Sequence, residues 1–260
     1  MPNAYLNGVL QKYKSRDLTN HSLTLAYLKN DLKTWAATCY VDIVTSGSCA
    51  KGTAIALSSD VDLMVSLIPT CNENTGGLAQ CYESLYEFLR DQGYTSLRRQ
   101  NVSVRLKLNA LEVDVTPARL MRGFQNRHNL YQSKTGTRKE TDVKKHINDI
   151  KNSGRLDEIK LLKIWREKNR LDFPSIYLEY LVVTKLLLWK PKSNDALATN
   201  VFHCLEALAK EEGNPLFVKV DDPANTNNTL SDLLNLKEKR AIILKAREAI
   251  SAQNWGQIVS

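Results

Sequence analysis

The sequence predicts a two-lobed α+β protein, with a strand-rich first lobe and a helical second lobe. Short runs with the period-two alternation typical of β-strands are concentrated in the first 120 residues, whereas residues 142–251 show mainly helical spacing. The polar segment YQSKTGTRKET, residues 131–141, reads as a linker between the two parts. We therefore predict a mixed sheet with helices in residues 1–125, helices alone in residues 126–260, and a central cleft between the lobes.

Local patterns define the elements of the first lobe. Leucines at roughly helical spacing predict a helix within residues 16–38, and a second helix is predicted over residues 76–94. The last two strands alternate on either side of a two-residue turn, Asn109-Ala110, and predict a hairpin. The predicted strands are residues 41–46, 61–68, 102–108 and 111–118.

The second lobe is predicted to consist of helices, because its segments are long and their apolar residues recur with helical spacing. A chain of 260 residues also has ample material for a hydrophobic core. The predicted helices are residues 142–152, 155–169, 175–189, 194–212 and 230–251.

Composition and cysteine usage are those of an ordinary globular protein of the cytoplasm. Hydrophobic residues make up 43% of the chain and charged residues 25%, and no apolar run approaches the length of a membrane span. The opening MPNAYLNGVLQKYKSR lacks the apolar centre of a signal peptide. The five cysteines form no C-x-x-C pair, so we expect reduced thiols and neither a zinc site nor a disulfide frame. These features predict a cytoplasmic location without membrane contact.

The net charge of +8 is concentrated in one part of the sequence. Residues 98–139 contain ten basic side chains and two acidic ones, Glu112 and Asp114. A solvated basic face and a phosphate-handling surface explain this excess equally well. Weak contact with nucleic acid through such a surface is therefore an open alternative.

Two aspartates within an apolar run point to metal chemistry. In SSDVDLMV the strand period places Asp60 and Asp62 on one face, where like charges repel unless a cation lies between them. Asp114 in LEVDVTP supplies a third carboxylate on a later strand. Oxygen ligands suit Mg²⁺ or Mn²⁺, and three such carboxylates could hold two ions for nucleotidyl transfer. The alternative is that each aspartate is only a capping or surface residue.

A Gly-Ser turn precedes the first aspartate by about a dozen residues. Gly47 would let the backbone approach a ligand closely, and the amide and hydroxyl of Ser48 could bind phosphate oxygens. A Gly-Ser pair alone is simply a turn. The ordered combination of strand, Gly-Ser, paired aspartates and a third aspartate is much more specific.

That combination resembles the active site of the DNA polymerase β-type nucleotidyltransferase superfamily. GSCAKGTAIALSSDVDLMV, residues 47–65, is similar to the corresponding motif of the CD-NTases, the bacterial relatives of cyclic GMP-AMP synthase. LLKIWREKN resembles the family helix whose lysine reaches the triphosphate, here Lys163, and PSIYLEYLV resembles the helix start whose serine meets the phosphates, here Ser175. Animal relatives place a base-stacking aromatic residue directly after that serine, whereas Tyr177 follows it here by two positions.

The resemblance implies an enzyme with a polymerase β-like core, two Mg²⁺ or Mn²⁺ ions held by Asp60, Asp62 and Asp114, and ATP or GTP among its substrates. It implies a monomeric cyclic di- or oligonucleotide synthase that acts in bacterial antiphage signalling of the CBASS type, through a separate effector protein. Two alternatives remain open. One is a linear transferase that adds nucleotides to RNA or protein, and the other is a synthase or sensor activated by a polynucleotide.

Overall fold

The computed structural model describes residues 2–58 and 60–260, and it confirms the predicted α+β class with a mixed sheet. The helices are α1 (Pro2–Lys12), α2 (Ser22–Ala36), α3 (Gly47–Lys51), α4 (Gly77–Asp91), α5 (Val143–Lys151), α6 (Leu156–Lys168), α7 (Ser175–Leu181), α8 (Leu197–Ala209), α9 (Leu236–Ile250) and α10 (Trp255–Ile258). The strands are β1 (Tyr40–Ser46), β2 (Val61–Leu67), β3 (Arg98–Arg99), β4 (Val104–Leu108), β5 (Leu111–Leu120), β6 (His128–Gln132), β7 (Thr137–Thr141), β8 (Asp221–Asp222) and β9 (Asn225–Thr229).

The chain divides into two compact units, and neither is a continuous segment. The helical unit comprises Met1–Arg16, Lys51–Ser59 and Asn148–Ser260, and the sheet unit comprises Asp17–Ala50 and Asp60–Ile147. These units do not follow a single division at residue 125. The amino-terminal helix α1 packs on α6 and α8, and strands β6 and β7 extend the sheet.

The sheet unit is built around a seven-stranded sheet. Its main path runs β1-β2-β5-β4-β3, and β6 pairs with both β5 and β7. The β2–β5 pair is parallel and the other pairs are antiparallel. One face of the sheet shares a core with α2 and α4, where Val61, Leu63 and Val65 of β2 are almost completely buried. This is the alternation that the sequence predicts for β2.

The segment predicted as a linker is a β-hairpin instead. Residues 131–141 fall largely within β6 and β7, which pair from His128–Thr141 to Gln132–Thr137. Gly136 provides the positive φ of the turn, +67°. The many polar residues suggested a linker, but one side of this hairpin is solvated, so polar side chains fit the strands as well as a loop.

The prediction that all five cysteines are free is wrong. Cys39, just before β1, and Cys71, a few residues after β2, form a disulfide with a Cα–Cα distance of 5.5 Å. Antiparallel pairing of Tyr40 with Leu67 brings the two flanking segments together, although 32 residues separate the cysteines in the chain. Cysteine usage therefore no longer supports the predicted cytoplasmic location, which stays a prediction.

The helical unit has a separate hydrophobic core. Leu6 and Val9 of α1 pack with apolar side chains of α6, α7, α8 and α9. Helix α6 is buried on nearly all sides, since eight of its thirteen residues are buried, Lys163 and Arg166 among them. The predicted helix over residues 175–189 is shorter than expected, because α7 ends at Leu181 and passes into a π-helical turn, Val182–Leu186. Within the described ranges, none of the helices has the length and apolar character needed to cross a bilayer.

Candidate active site

Three aspartates lie together at one end of the central strand pair of the sheet unit. Asp62 of β2 is in register with Asp114 of β5 on the neighbouring parallel strand, and Asp60 immediately precedes β2. The flanking residues Val61 and Val113 point into the core. Because alternate side chains point to opposite faces, Asp62 and Asp114 share the other face of the sheet. The fold therefore brings the predicted carboxylates together from separate parts of the sequence.

Gly47 borders the same carboxylates and leaves room for one of them. It is the first residue of α3 and has a φ of +64°, a conformation that glycine adopts without strain. A Cβ built on Gly47 would overlap Oδ2 of Asp62. Glycine is therefore required here both by backbone conformation and by the aspartate. Ser48 follows it in α3 and is partly exposed, so its predicted phosphate contact stays a prediction.

A guanidinium lies among the carboxylates. Arg105 Nε and Nη2 donate to the two oxygens of Asp114 at 2.8 and 2.7 Å, while Nη2 also reaches Asp60 Oδ2 at 2.6 Å. Arg105 Nη1 donates to Glu112 Oε2 at 2.8 Å. Gln100 Nε2 donates to Asp114 Oδ1 at 3.2 Å. We call Arg105, Asp60, Glu112 and Asp114 the Arg105 cluster.

The Arg105 cluster carries more negative than positive charge. Three carboxylates share one guanidinium, and Asp62 lies nearby on the same face. Burial raises the pKa of Asp60, and the neighbouring Asp114 and Glu112 raise it further, against the opposing effect of Arg105. The carboxylates, led by Asp114, raise the pKa of Arg105. Such a cluster favours an additional cation.

The carboxylates of Asp60, Asp62 and Asp114 are suitable ligands for a hard divalent metal ion, although Arg105 is hydrogen-bonded to two of them in this structure. Carboxylate oxygens on adjacent strands are the ligands that Mg²⁺ and Mn²⁺ prefer. Over residues 2–58 and 60–260, no group of three or more His, Cys, Asp or Glu side chains is arranged to hold a metal ion. Arg105 spans Asp60 and Asp114 instead. Metal binding by Asp60, Asp62 and Asp114 stays a prediction.

The helical unit contains a second charged cluster, which is buried. Glu179 of α7 is completely buried and forms ion pairs with both Lys51 and Lys163. Lys163 Nζ lies 2.7 Å from Glu179 Oε1 and 2.9 Å from Thr53 Oγ1, and the Thr53 hydroxyl donates to Glu179 Oε1 at 2.6 Å. We call Glu179, Lys51, Lys163 and Thr53 the Glu179 cluster.

Burial and pairing oppose each other in the Glu179 cluster. Burial lowers the pKa of Lys163 to about 8, although Glu179 acts in the opposite direction. For Glu179, burial alone would raise the pKa, but Lys51 and Lys163 outweigh it and lower the pKa. Lys163 is 1% exposed and donates to protein oxygens. Its contact with a triphosphate stays a prediction.

The two other predicted nucleotide contacts lie near the start of α7. Ser175 is its first residue, and its hydroxyl accepts a hydrogen bond from Arg166 Nη1 at 2.9 Å. Tyr177 is completely buried in the helical core, where its ring meets Phe173 edge-on at 5.5 Å. Its hydroxyl reaches Leu216 O at 3.4 Å. Tyr177 therefore presents no ring face to a nucleobase in this structure, because helix α7 turns it inward.

Arg105 is not among the predicted site residues, although the hairpin register in the sequence places it beside Asp114. A two-residue turn at Asn109-Ala110 pairs residues whose numbers add to 219, so Arg105 lies opposite Asp114, as observed. The sequence interpretation also missed the role of Glu179, which was noted only as part of a motif. No local pattern predicts its pairing with Lys51, because 128 residues separate them.

Much of the basic stretch is neutralised by acidic neighbours. Five of the ten basic residues between 98 and 139 form ion pairs: Arg98, Arg99, Arg105, Arg122 and Arg127. Arg119 donates to the carbonyl oxygen of Cys71 at 3.2 Å. The excess of positive charge seen in the sequence is thus reduced in the folded sheet unit. This arrangement favours the solvated basic face over a surface dedicated to polynucleotide phosphates.

Comparisons by sequence and by structure give different results. No protein-family model and no curated protein matches the chain. The structure of Escherichia coli MS115-1 CdnC in complex with HORMA-deltaN has a TM-score of 0.76 and 20% identity, covering 100% of this chain and 97% of that one. CdnC has also been solved with ATP. Elizabethkingia meningoseptica CdnE cyclic dinucleotide synthase, solved with GTP and Apcpp, has a TM-score of 0.63 and 13% identity over 98% of both chains.

The same fold also occurs in an enzyme that acts on RNA. A cytoplasmic RNA terminal U-transferase matches with a TM-score of 0.61 and 13% identity, covering 97% of this chain and 94% of that one. The chain therefore shares the fold of these proteins. The fold that the resemblance to the CD-NTases implies is confirmed, because CdnC and CdnE share it.

Proposed function

We propose that this protein is a metal-dependent nucleotidyltransferase that makes a cyclic di- or oligonucleotide from nucleoside triphosphates. The observation that carries the proposal is the register of Asp62 with Asp114, next to Asp60 and to a glycine that leaves space for Asp62. Arg105 is the one guanidinium shared by Asp60, Glu112 and Asp114, and a metal ion would neutralise the negative charge that remains. The CD-NTase motifs in the sequence favour a cyclic product over a linear one.

In this proposal, Asp60, Asp62 and Asp114 hold two Mg²⁺ or Mn²⁺ ions. When bound, such ions activate the attacking hydroxyl and neutralise the charge on the leaving pyrophosphate. Gly47 and Ser48 bind phosphate oxygens through the backbone amide and the serine hydroxyl. Ser175 adds a hydroxyl at the start of α7, where Arg166 orients it. Lys163 contacts the triphosphate in this proposal, as the resemblance to the CD-NTases implies.

The proposed reaction joins two nucleotides and then closes the ring. A ribose hydroxyl of one nucleotide attacks the α-phosphorus of another, the bond to the β-phosphate oxygen breaks, and pyrophosphate leaves. A second transfer of the same kind forms the ring. We further propose ATP or GTP as substrates, a cytoplasmic monomer, and a separate effector protein that responds to the product in antiphage signalling. The solved structures of CdnC with ATP and of CdnE with GTP support the choice of substrates.

The test is to incubate the protein with each pair of labelled triphosphates and Mg²⁺ or Mn²⁺, followed by phosphatase. We expect a phosphatase-resistant product from the wild-type protein and none from the double variant Asp60→Asn, Asp62→Asn. Asp91→Asn is the matched control, because Asp91 is an exposed aspartate at the end of α4. Turnover by the double variant at the wild-type level would overturn the proposal.

A linear transferase that labels RNA is the second candidate, because the terminal U-transferase has the same fold. If the basic stretch binds an RNA acceptor, the binding constant for RNA falls as salt is added. The slope of its logarithm against the logarithm of the salt concentration is then about −0.7 per phosphate contacted on a single strand. We expect instead that synthesis from triphosphates alone needs no RNA, since half of those basic residues are paired with acids. Label appearing on added RNA would favour the linear transferase. Dependence on a polynucleotide that stays unlabelled would indicate a sensor synthase.

A further inference from the structure

Arg105 lies where a cation shared by the proposed metal ligands would lie. Its Nη2 atom is 2.6 Å from Asp60 Oδ2 and 2.7 Å from Asp114 Oδ2, so a single nitrogen bridges two carboxylates. A Mg²⁺ ion lies about 2.1 Å from each carboxylate oxygen that it binds. A metal ion held by Asp60 and Asp114 would therefore compete with Arg105 for the same two carboxylates.

Arginine cannot yield to a metal ion by losing its proton. A guanidinium stays protonated in proteins at any ordinary pH. Exchange for a metal ion must therefore be a movement of the side chain. Arg105 is partly exposed, with 22% of its side chain accessible, so a movement of this kind does not require the core to open.

Glu112 offers the guanidinium a second partner. Arg105 Nη1 already donates to Glu112 Oε2 at 2.8 Å, and Glu112 is two residues from Asp114 on the same face of β5. The side chain of Glu112 is 37% exposed. Arg105 can thus give up Asp60 and Asp114 while it keeps one charge-assisted hydrogen bond.

We propose that Arg105 is a positioning residue that closes the metal site in the metal-free protein and moves onto Glu112 when metal binds. This inference rests on the proposed function, because it takes Asp60 and Asp114 as metal ligands. It adds that the carboxylates are held in place by an internal cation before the metal arrives. Metal affinity is then set by the competition between the ion and this arginine.

The test is a titration of the full-length protein with Mn²⁺ in the absence of nucleotide. Binding is measured by calorimetry and by the electron paramagnetic resonance signal of free Mn²⁺. We expect Arg105→Ala to bind Mn²⁺ roughly tenfold more tightly than wild type, the scale on which groups around metal ligands alter affinity. Arg105→Gln keeps a long side chain and should shift affinity in the same direction, which covers the case in which the alanine variant fails to fold.

Arg98→Ala is the matched control for charge alone. Arg98 of β3 lies in register with Arg105 of β4. The Arg98 side chain forms an ion pair with Glu112 at 3.6 Å. We expect its Mn²⁺ affinity to change less than twofold. If both Arg105 variants change affinity no more than Arg98→Ala, the inference about Arg105 is overturned and the proposed function stands. If Asp60→Asn, Asp62→Asn binds Mn²⁺ as wild type does, the metal assignment fails and the inference fails with it.

Discussion

The Arg105 cluster and the Glu179 cluster are opposite solutions to the problem of placing charges inside a protein. In the Arg105 cluster three carboxylates surround one cation, and the side chains of Asp60 and Glu112 are each 37% exposed. In the Glu179 cluster two ammonium groups surround one carboxylate, and Glu179 is completely buried. The Arg105 cluster thus has an excess of negative charge and is partly exposed to water. The Glu179 cluster has an excess of positive charge and is buried.

The difference indicates which cluster can exchange its ions. A buried charge that loses its partner cannot be solvated, so all members of the Glu179 cluster depend on one another. In the Arg105 cluster, Asp60 and Glu112 are partly exposed and are solvated by water when Arg105 leaves them, so these two pairs can break at little cost. The pair with the buried Asp114 costs more to break. We infer that the Glu179 cluster stabilises the helical unit, whereas the Arg105 cluster is adapted to cation exchange.

The largest expected effect comes from neutralising the centre of the buried cluster. Glu179→Gln leaves Lys51 and Lys163 as neighbouring buried cations, and we expect a loss of about 3–5 kcal/mol in the free energy of unfolding, as for other broken buried pairs. Denaturant unfolding followed by circular dichroism measures it. Glu206→Gln in α8 is the control, because Glu206 is exposed. A loss below about 1 kcal/mol would remove the contrast between the two clusters.

A smaller effect with a defined pH dependence is expected at Lys163. Burial lowers its pKa to about 8 in the folded protein, from an ordinary value of 10.5. Between these two pH values the unfolded chain binds more protons than the folded protein, so the Lys163 contribution to the free energy of unfolding rises with pH. Below pH 8 the lysine is charged in both states and the unfavourable effect of its burial is fully present.

The measurement is the difference in free energy of unfolding between wild type and Lys163→Met at several pH values. Methionine has a similar length and no charge, so it keeps most of the packing. We expect the difference to move in favour of wild type as the pH rises from 8 to 10.5. A pH-independent difference would mean that Lys163 is not the titrating group.

The smallest expected effect on stability is at Asp60. Asp60→Asn removes one of three carboxylates from Arg105, which keeps Asp114 and Glu112. We expect the free energy of unfolding to change by less than about 1 kcal/mol, since the pair is partly exposed. Thermal unfolding beside Asp91→Asn checks this. A loss comparable to that of Glu179→Gln would show that both clusters are structural.

The sheet and its carboxylates could be predicted because they depend on short-range rules. Period-two alternation placed Asp62 and Asp114 away from the core, and the turn at Asn109-Ala110 fixed the hairpin register. The hairpin of β6 and β7 was missed because a solvated hairpin and a linker have similar polar compositions.

The Glu179 cluster could not be predicted because its members come from distant parts of the chain. Burial of Lys163 depends on how α6 packs, and helical periodicity does not reveal a helix that is covered on nearly all sides. The inward direction of Tyr177 and the pairing of Cys39 with Cys71 have the same origin, since tertiary packing decides both. Sequence patterns predicted the elements well, and contacts over long chain separations poorly.

The overlap between a Cβ at residue 47 and the carboxylate of Asp62 has a consequence for how this protein can change by mutation. Any side chain at position 47 displaces Asp62, and a smaller residue at position 62 that restores the space lacks the carboxylate. Whichever of the two positions changes first, the resulting single variant lacks either the glycine turn at position 47 or the correctly placed carboxylate at position 62. Once both positions have changed, the original site is restored only when both substitutions are reversed.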